Sequence, residues 1–242
     1  MKRRILTANN LNDFQKYLIL QEKSKATTKK YFRDAKVFAD FAGNEEIRKE
    51  IVIAYKEHLR ENHAVRSVNS MLASINSLFA FLGWFDLKIK ALKVQHQVFC
   101  SEEKELTKAE YARLCKAAQS NHNERLNLIL QTICATGIRV SELRFITVEA
   151  VKQSEATVSL KGKTRSIFIV KDLKKKLLRY AAKQNIKSGM IFVTRTSKPI
   201  NRTNIWREMK NLCKKANVNP QKVFPHNLRH LFARVFYNIE KD

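Results

Sequence analysis

Glycine and proline are scarce, with five Gly and three Pro among 242 residues. That scarcity excludes collagen-like and loop-rich β-sandwich architectures, which use both residues as punctuation, and it leaves helix as the main element. Cysteine is equally sparse. Cys100, Cys115, Cys134 and Cys213 form no C-x-x-C pair and have no histidine at zinc spacing. Neither a disulfide framework nor a metal site is therefore expected, and a reducing cytoplasm fits. Cys115 and Cys134 fall among apolar neighbours and read as small core residues. Long apolar runs are missing too. The longest, 78–85, is interrupted by Gly83 and falls far short of a bilayer span, while Thr7, Asn9 and Asn10 break up the N-terminal stretch before a signal-peptide core can form. The expectation is a soluble chain with no membrane partner.

Acidic residues are the scarcity that says most. Forty-seven Lys and Arg stand against twenty-two Asp and Glu, a formal charge of +25. Self-repulsion of that size is relieved when a polyanion neutralises it, which makes nucleic acid the expected partner. The excess is uneven. Residues 1–98 carry 18 basic and 10 acidic side chains (+8), whereas 161–234 carry 20 basic ones against Asp172 and Glu208 alone (+18). What is plentiful is apolar: 44% of the chain is hydrophobic, enough to bury a core, and the length suits two cores better than one.

Apolar residues recur at helical spacing in four successive stripes: Leu11, Phe14, Leu18; Tyr31, Ala35, Phe38; Ile47, Ile51, Tyr55, Leu59; and Val68, Leu72, Ile75, Phe79, Leu82. They predict a four-helix domain over 1–85, with Phe79, Phe81, Trp84 and Phe85 as core packing. The periodicity fails over 86–105, which reads as a linker, and Thr107-x-x-Glu110 is a capping box that opens a second domain over 106–242. There the pattern predicts helices over 108–119, 124–135, 141–145, 172–185, 201–215 and 226–238. Strands are expected over 156–160 and 166–170, joined by a turn at 161–164, with a further short strand at 191–193. The fold class is mainly α with a small antiparallel sheet.

Two segments carry chemistry: Ala135-Thr-Gly-Ile-Arg139-Val-Ser-Glu142-Leu143 and Pro225-His226-Asn-Leu-Arg229-His230. Attack on a phosphodiester spreads negative charge over non-bridging oxygens, and two planar guanidinium forks can hold such a group in fixed geometry where a flexible ammonium cannot. Arg139 and Arg229 suit that clamp. His226, one helical turn before Arg229, can reach the same phosphate or move a proton. Glu142, three residues after Arg139, can meet it on one helical face and orient it. His230 is expected to be structural, facing elsewhere on the helix from Arg229. Taken singly, each arginine would read as solvated surface.

Together the two segments match the A-T-G-x-R-x-S-E-L and P-H-x-L-R-H boxes of the tyrosine recombinase (phage integrase) family, in the family's order. The chain resembles that family over about residues 8 to 240. The resemblance implies an N-terminal four-helix core-binding (SAM-like) DNA-binding domain and an α+β integrase catalytic domain with a small antiparallel sheet. It implies site-specific recombination by transesterification through a 3′-phosphotyrosyl intermediate, with Arg139, Lys161, His226 and Arg229 catalytic and Glu142 supporting Arg139. Lys161 would protonate the 5′-hydroxyl leaving group from a hairpin; Lys163, two residues on, is the weaker candidate. Double-stranded DNA is the implied partner. No cofactor, metal or small-molecule substrate is implied, and a bacterial, nucleoid-associated location is. A full-length parent would form a homo-tetramer on DNA, this chain a monomer.

The sequence departs from the family in one respect. The family's nucleophilic tyrosine, and a His or Trp before it, follow the second box at a greater distance than the thirteen residues between Arg229 and Asp242. Tyr237, eight residues past Arg229, is expected to pack among Val235, Phe236 and Ile239 rather than to attack DNA. The expectation is a truncated mobile-element integrase that is inactive alone; the alternative is a natural short form or regulator that binds DNA without cleaving it.

Overall fold

In a computed structural model, which describes residues 3–94, 104–160, 162–194 and 196–239, the four apolar stripes become α1 (Ala8–Leu20), α2 (Lys25–Ala42), α3 (Lys49–Asn62) and α4 (Val65–Phe81). Thr7 and Asn10 close a reciprocal capping box at the start of α1, and the Ser24 hydroxyl accepts from the Thr27 amide at the start of α2. Phe14, Leu18, Phe38, Tyr55, Leu72, Ile75 and Phe79 fill the centre. A polar cluster joins α2 to α4: buried Asp34 accepts from Lys30 at 2.5 Å and from the Ser74 hydroxyl at 2.8 Å, and Lys30 also donates to the Ser70 carbonyl at 2.9 Å. These elements belong to the first of two compact units, Met1–Gln97 and Val98–Asp242.

Two expectations for this unit need correction. Phe85 is 63% exposed and lies under the Lys88 ammonium, because a 3₁₀ turn (Phe85–Leu87) swings it outward and buries Leu87 in its place. The segment expected as a linker is docked over its first part. Asn76 both donates to the Ile89 carbonyl (2.8 Å) and accepts from its amide (3.0 Å), and Asn69 brackets Leu92 in the same way (2.9 and 2.7 Å). Ile89 and Leu92 then pack on the first core. Two side-chain amides thus supply the ladder bonds that an extended segment otherwise finds in a sheet.

The second unit contains α5 (Lys108–Ser120), α6 (Glu124–Thr136), α7 (Val148–Gln153), β1 (Glu155–Leu160), β2 (Lys163–Phe168), α8 (Lys171–Lys183), α9 (Arg202–Ala216) and α10 (Pro225–Ile239). Thr107 and Glu110 form the expected capping box at α5. Helix α6 is its axis: Leu126, Leu128, Ile129, Leu130 and Ile133 are buried around the whole circumference because α5, α8, α9 and α10 pack on different sides. β1 and β2 pair antiparallel, with Ala156 opposite Ile167, Val158 opposite Arg165 and Leu160 opposite Lys163. The strands therefore continue to a two-residue connection ending in Gly162 (φ +72°), and Lys163 and Thr164 belong to β2 rather than to the expected four-residue turn. Val170 caps α8 instead of ending the strand. Residues 191–193 form no strand: Val193 makes a single bridge to Pro199, the Ile191 amide donates to the Ile146 carbonyl at 3.1 Å, and Ile191 and Phe192 are buried. Cys213 is buried, and Cys115 and Cys134 pack against the core, where burial pushes the Cys134 thiol up to about 11. Among the described residues, no helix is long and apolar enough to cross a membrane.

Candidate active site

The site is built where α6 ends. Gly137 adopts a left-handed conformation (φ +60°, ψ +20°) that only glycine takes without strain, and its amide closes the helix on Ile133. The chain then runs extended through Arg139 (φ −78°, ψ 151°) into a 3₁₀ turn, Val140–Phe145. Arg139 is thus the residue before the turn. Glu142 folds back onto it as the third residue of the turn, its Oε2 accepting the Arg139 amide at 2.8 Å and its Oε1 the Arg139 guanidinium at 2.9 Å. The expectation of a shared helical face is replaced by a capping arrangement that uses the same three-residue spacing.

Glu142 is 2% exposed. A third hydrogen bond reaches its Oε2 from the Arg165 guanidinium on β2, at 2.5 Å. Burial pushes this carboxyl upward, but the hydrogen bonds from Arg139 and the charges of Arg165 and Arg139 outweigh burial and hold it below the usual range. The carboxylate is therefore a charged anchor for two arginines whose side chains remain 59% and 42% exposed.

Helix α10 supplies the opposite wall. His226 and Arg229 lie one turn apart on it, and the Arg229 guanidinium donates to the Gly137 carbonyl, which α6 leaves without an intrahelical partner. Part burial first, then the charges of Arg139 and Arg165, lower the proton affinity of Arg229, while Glu142 acts the other way. The His226 imidazole titrates below its ordinary value of 6.5, chiefly through desolvation, then through His230, Arg229, Arg139 and Arg202. The His230 ring meets His226 edge-on at 4.6 Å, because residues four apart share a helix face.

Arg139, Arg144, Arg202, His226 and Arg229 line one open cleft of about 520 Å³, floored by Phe192 and Ile200. Arg202 enters from the first turn of α9, which Asn201 caps. Four guanidinium groups and one imidazole around a single cleft make an anion site suited to a phosphoryl group and its spreading charge. Of the expected residues, Arg139, His226 and Arg229 are brought together and Glu142 lies beneath Arg139. Lys161 lies outside the described residues, as does the side chain of Tyr237. Among the described residues no three His, Cys, Asp or Glu side chains are grouped to hold a metal ion.

Sequence reasoning missed Arg144, Arg165 and Arg202. For Arg165 a signal was present: Lys163, Arg165, Ile167 and Ile169 alternate, and the last two are buried, so Arg165 shares the inward face of its strand. Arg202 follows a capping asparagine, a position that marks a helix start without saying what that start faces.

Residues 104–242 match the model of the phage integrase family, and residues 11–84 that of the phage integrase N-terminal SAM-like domain. Among curated relatives, tyrosine recombinase XerA of Pyrococcus furiosus is 26% identical, the match covering 96% of this chain and 82% of XerA. Tyrosine recombinase XerD of Halalkalibacterium halodurans is 29% identical over 92% of this chain and 83% of its own length. Among solved structures, a lambda integrase (75–356) dimer bound to a COC′ core site superposes with a TM-score of 0.77 at 17% identity, covering 96% of this chain and 89% of that one. The Tn1549 transposon integrase in complex with transposon right end DNA gives 0.70 at 15% identity, over 95% and 87%. The described fold is theirs.

Proposed function

The chain belongs to the phage integrase family, the DNA breaking-and-rejoining tyrosine recombinases, and from that premise we propose that it acts in site-specific recombination, binding duplex DNA and holding one phosphodiester between Arg139 and Arg229. The observation that carries this reading is the convergence of Arg139, His226 and Arg229, from segments 90 residues apart, on one cleft of the second unit. Both guanidinium groups would neutralise the non-bridging oxygens as charge builds in the transition state, with Glu142 fixing Arg139 from below. His226, whose proton affinity desolvation and the neighbouring cations lower, would hydrogen-bond the same phosphate or move a proton. Lys161 is assigned by family resemblance as the acid for the 5′-hydroxyl leaving group. The residues of 1–85 act in this reading as the core-binding domain against the duplex, 86–105 as the connection and 106–242 as the catalytic domain.

The family's covalent step joins a tyrosine oxygen to phosphorus as the 5′-oxygen departs with a proton. The phosphoester bond is thereby conserved in the protein–DNA link, so the step draws on no nucleotide cofactor. None of the six tyrosines of this sequence is proposed for that role. Tyr17, Tyr31 and Tyr55 belong to the first unit, and Tyr111 and Tyr180 pack in the second, where burial pushes their hydroxyls up. Tyr237 is set aside because the family pattern puts the nucleophile further downstream. Residues 1–242 would then bind DNA as a monomer and leave it uncut.

The test pairs two measurements on the same protein. Anisotropy titrations with a labelled duplex should give an affinity that falls steeply with salt, as expected when many phosphates are neutralised. Incubation with nicked duplexes, which trap covalent adducts, should give no denaturant-resistant protein–DNA band. A salt-independent affinity would remove the DNA-binding proposal. An adduct lost in Tyr237→Phe would reassign the nucleophile.

A further inference from the structure

Glu142 receives hydrogen bonds from two arginines of distant origin, and the reaction described above uses only one of them. Arg165 stands opposite Val158 in the hairpin, on the strand face that buries Ile167. Its side chain is 42% exposed, and its head meets the same carboxylate as that of Arg139. Its Nη2 is tied to Glu142 at 2.5 Å; among the described residues, Nε and Nη1 have no protein partner. Arg139, Arg165 and Arg229 together carry three positive charges against the single carboxylate of Glu142. Their mutual proximity shows in Arg229, whose proton affinity both neighbours lower.

An ion pair that served only to pin the hairpin would match one guanidinium to one carboxylate and would bury both. Here one buried carboxylate orients two half-exposed guanidiniums, leaving a surplus of charge and of N–H donors that faces solvent. That surplus is the chemistry of an incomplete anion site. We propose that Arg165 is a third phosphate-contacting arginine, preset by Glu142 to meet the DNA backbone at or beside the phosphate held by Arg139 and Arg229. The assignment rests on the reading of the cleft as the phosphodiester site.

The experiment measures how duplex affinity depends on salt. Removing one charge that neutralises a phosphate lowers the slope of log affinity against log salt by about one. Arg165→Gln keeps a donor for Glu142 and removes the charge, so it should fold and lose about one unit of slope. Arg165→Lys should restore the slope while binding more weakly, because an ammonium cannot serve Glu142 and a phosphate in one plane. A wild-type slope in Arg165→Gln, accompanied only by a lower melting temperature, would make Arg165 a hairpin anchor and overturn the proposal. So would an Arg165→Lys slope as low as that of Arg165→Gln. Arg165→Met, which keeps the apolar stem, replaces the glutamine variant if that one melts early. Arg229→Gln separates the two readings. If it loses slope and Arg165→Gln does not, only this inference fails; if neither does, the cleft is not the phosphodiester site.

Discussion

The ring of Phe232 occupies the place where a side chain on residue 137 would begin: a β-carbon built on Gly137 would lie 2.6 Å from Phe232 Cδ1 and 2.8 Å from Cε1. The loop that delivers Arg139 and the helix that delivers His226 and Arg229 are thus pressed together through a glycine. Gly137→Ala should destabilise the second unit by about 2–4 kcal/mol, from a left-handed alanine and a forced shift of the ring. Urea unfolding measures this. Adding Phe232→Ala should recover part of the loss, since it removes the clash and leaves only the backbone strain; a double variant weaker than the additive expectation would refute the clash as the cause.

Glu142 predicts an acid-side signature. Its carboxyl titrates below the ordinary 4.5 in the folded protein, so its contribution to stability is complete above that value and is lost as the pH falls through the lower folded value. Glu142→Gln should lower stability at pH 7 by about 2 kcal/mol, through two guanidiniums left without their counter-charge. The gap between wild type and variant should narrow below pH 4.5. Melting temperatures across pH 2.5–7.5 decide it, and a constant gap would contradict the pairing.

His226 carries a dependence of the same sign in a higher pH window. With its folded value below 6.5, the unfolded chain binds the proton more readily, so stability is unaffected above pH 6.5 and falls as the pH drops from there towards the folded value. An NMR titration of the imidazole should give a midpoint below 6.5 in the free protein. The midpoint should rise in His230→Gln, which removes a neighbouring positive field, and should rise further when duplex DNA fills the cleft. A midpoint indifferent to DNA would take His226 away from the phosphate.

Asn76 predicts a local effect. Its amide makes both backbone bonds of Ile89, so Asn76→Ala should free the segment after the 3₁₀ turn, at a stability cost of about 1–2 kcal/mol. Trypsin should then cut at Lys88, Lys90 or Lys93 faster than in the wild type, with α1 to α4 still intact by mass. Unchanged cleavage would mean that Ile89 and Leu92 hold the segment by packing alone.

Much of this architecture was legible in the chain. Phe14, Phe38, Tyr55 and Phe79 announced their helices because a helix stripe is a local period, readable without knowing its neighbours. Arg139, His226 and Arg229 were legible because short motifs carry them. Arg165 was not, because its meaning depends on a hairpin register that sets it opposite Val158 and on a carboxylate 23 residues earlier. Helix α7 escaped notice at six residues, too few for a period to show. Asn69 and Asn76 lie off the apolar stripe of α4, and only the returning segment turns them into partners.

The hydrogen bond from Arg229 to Gly137 joins residues 92 positions apart, which gives the site a place in time as well as in space. A ribosome adding about 5–20 residues per second needs roughly 5 to 20 s to travel from one to the other. Through that interval α6 has been synthesised without a partner for the Gly137 carbonyl and without α10 on its side. The phosphate clamp thus cannot close until both segments have been made, and the face of α6 that α10 covers stays bare until then.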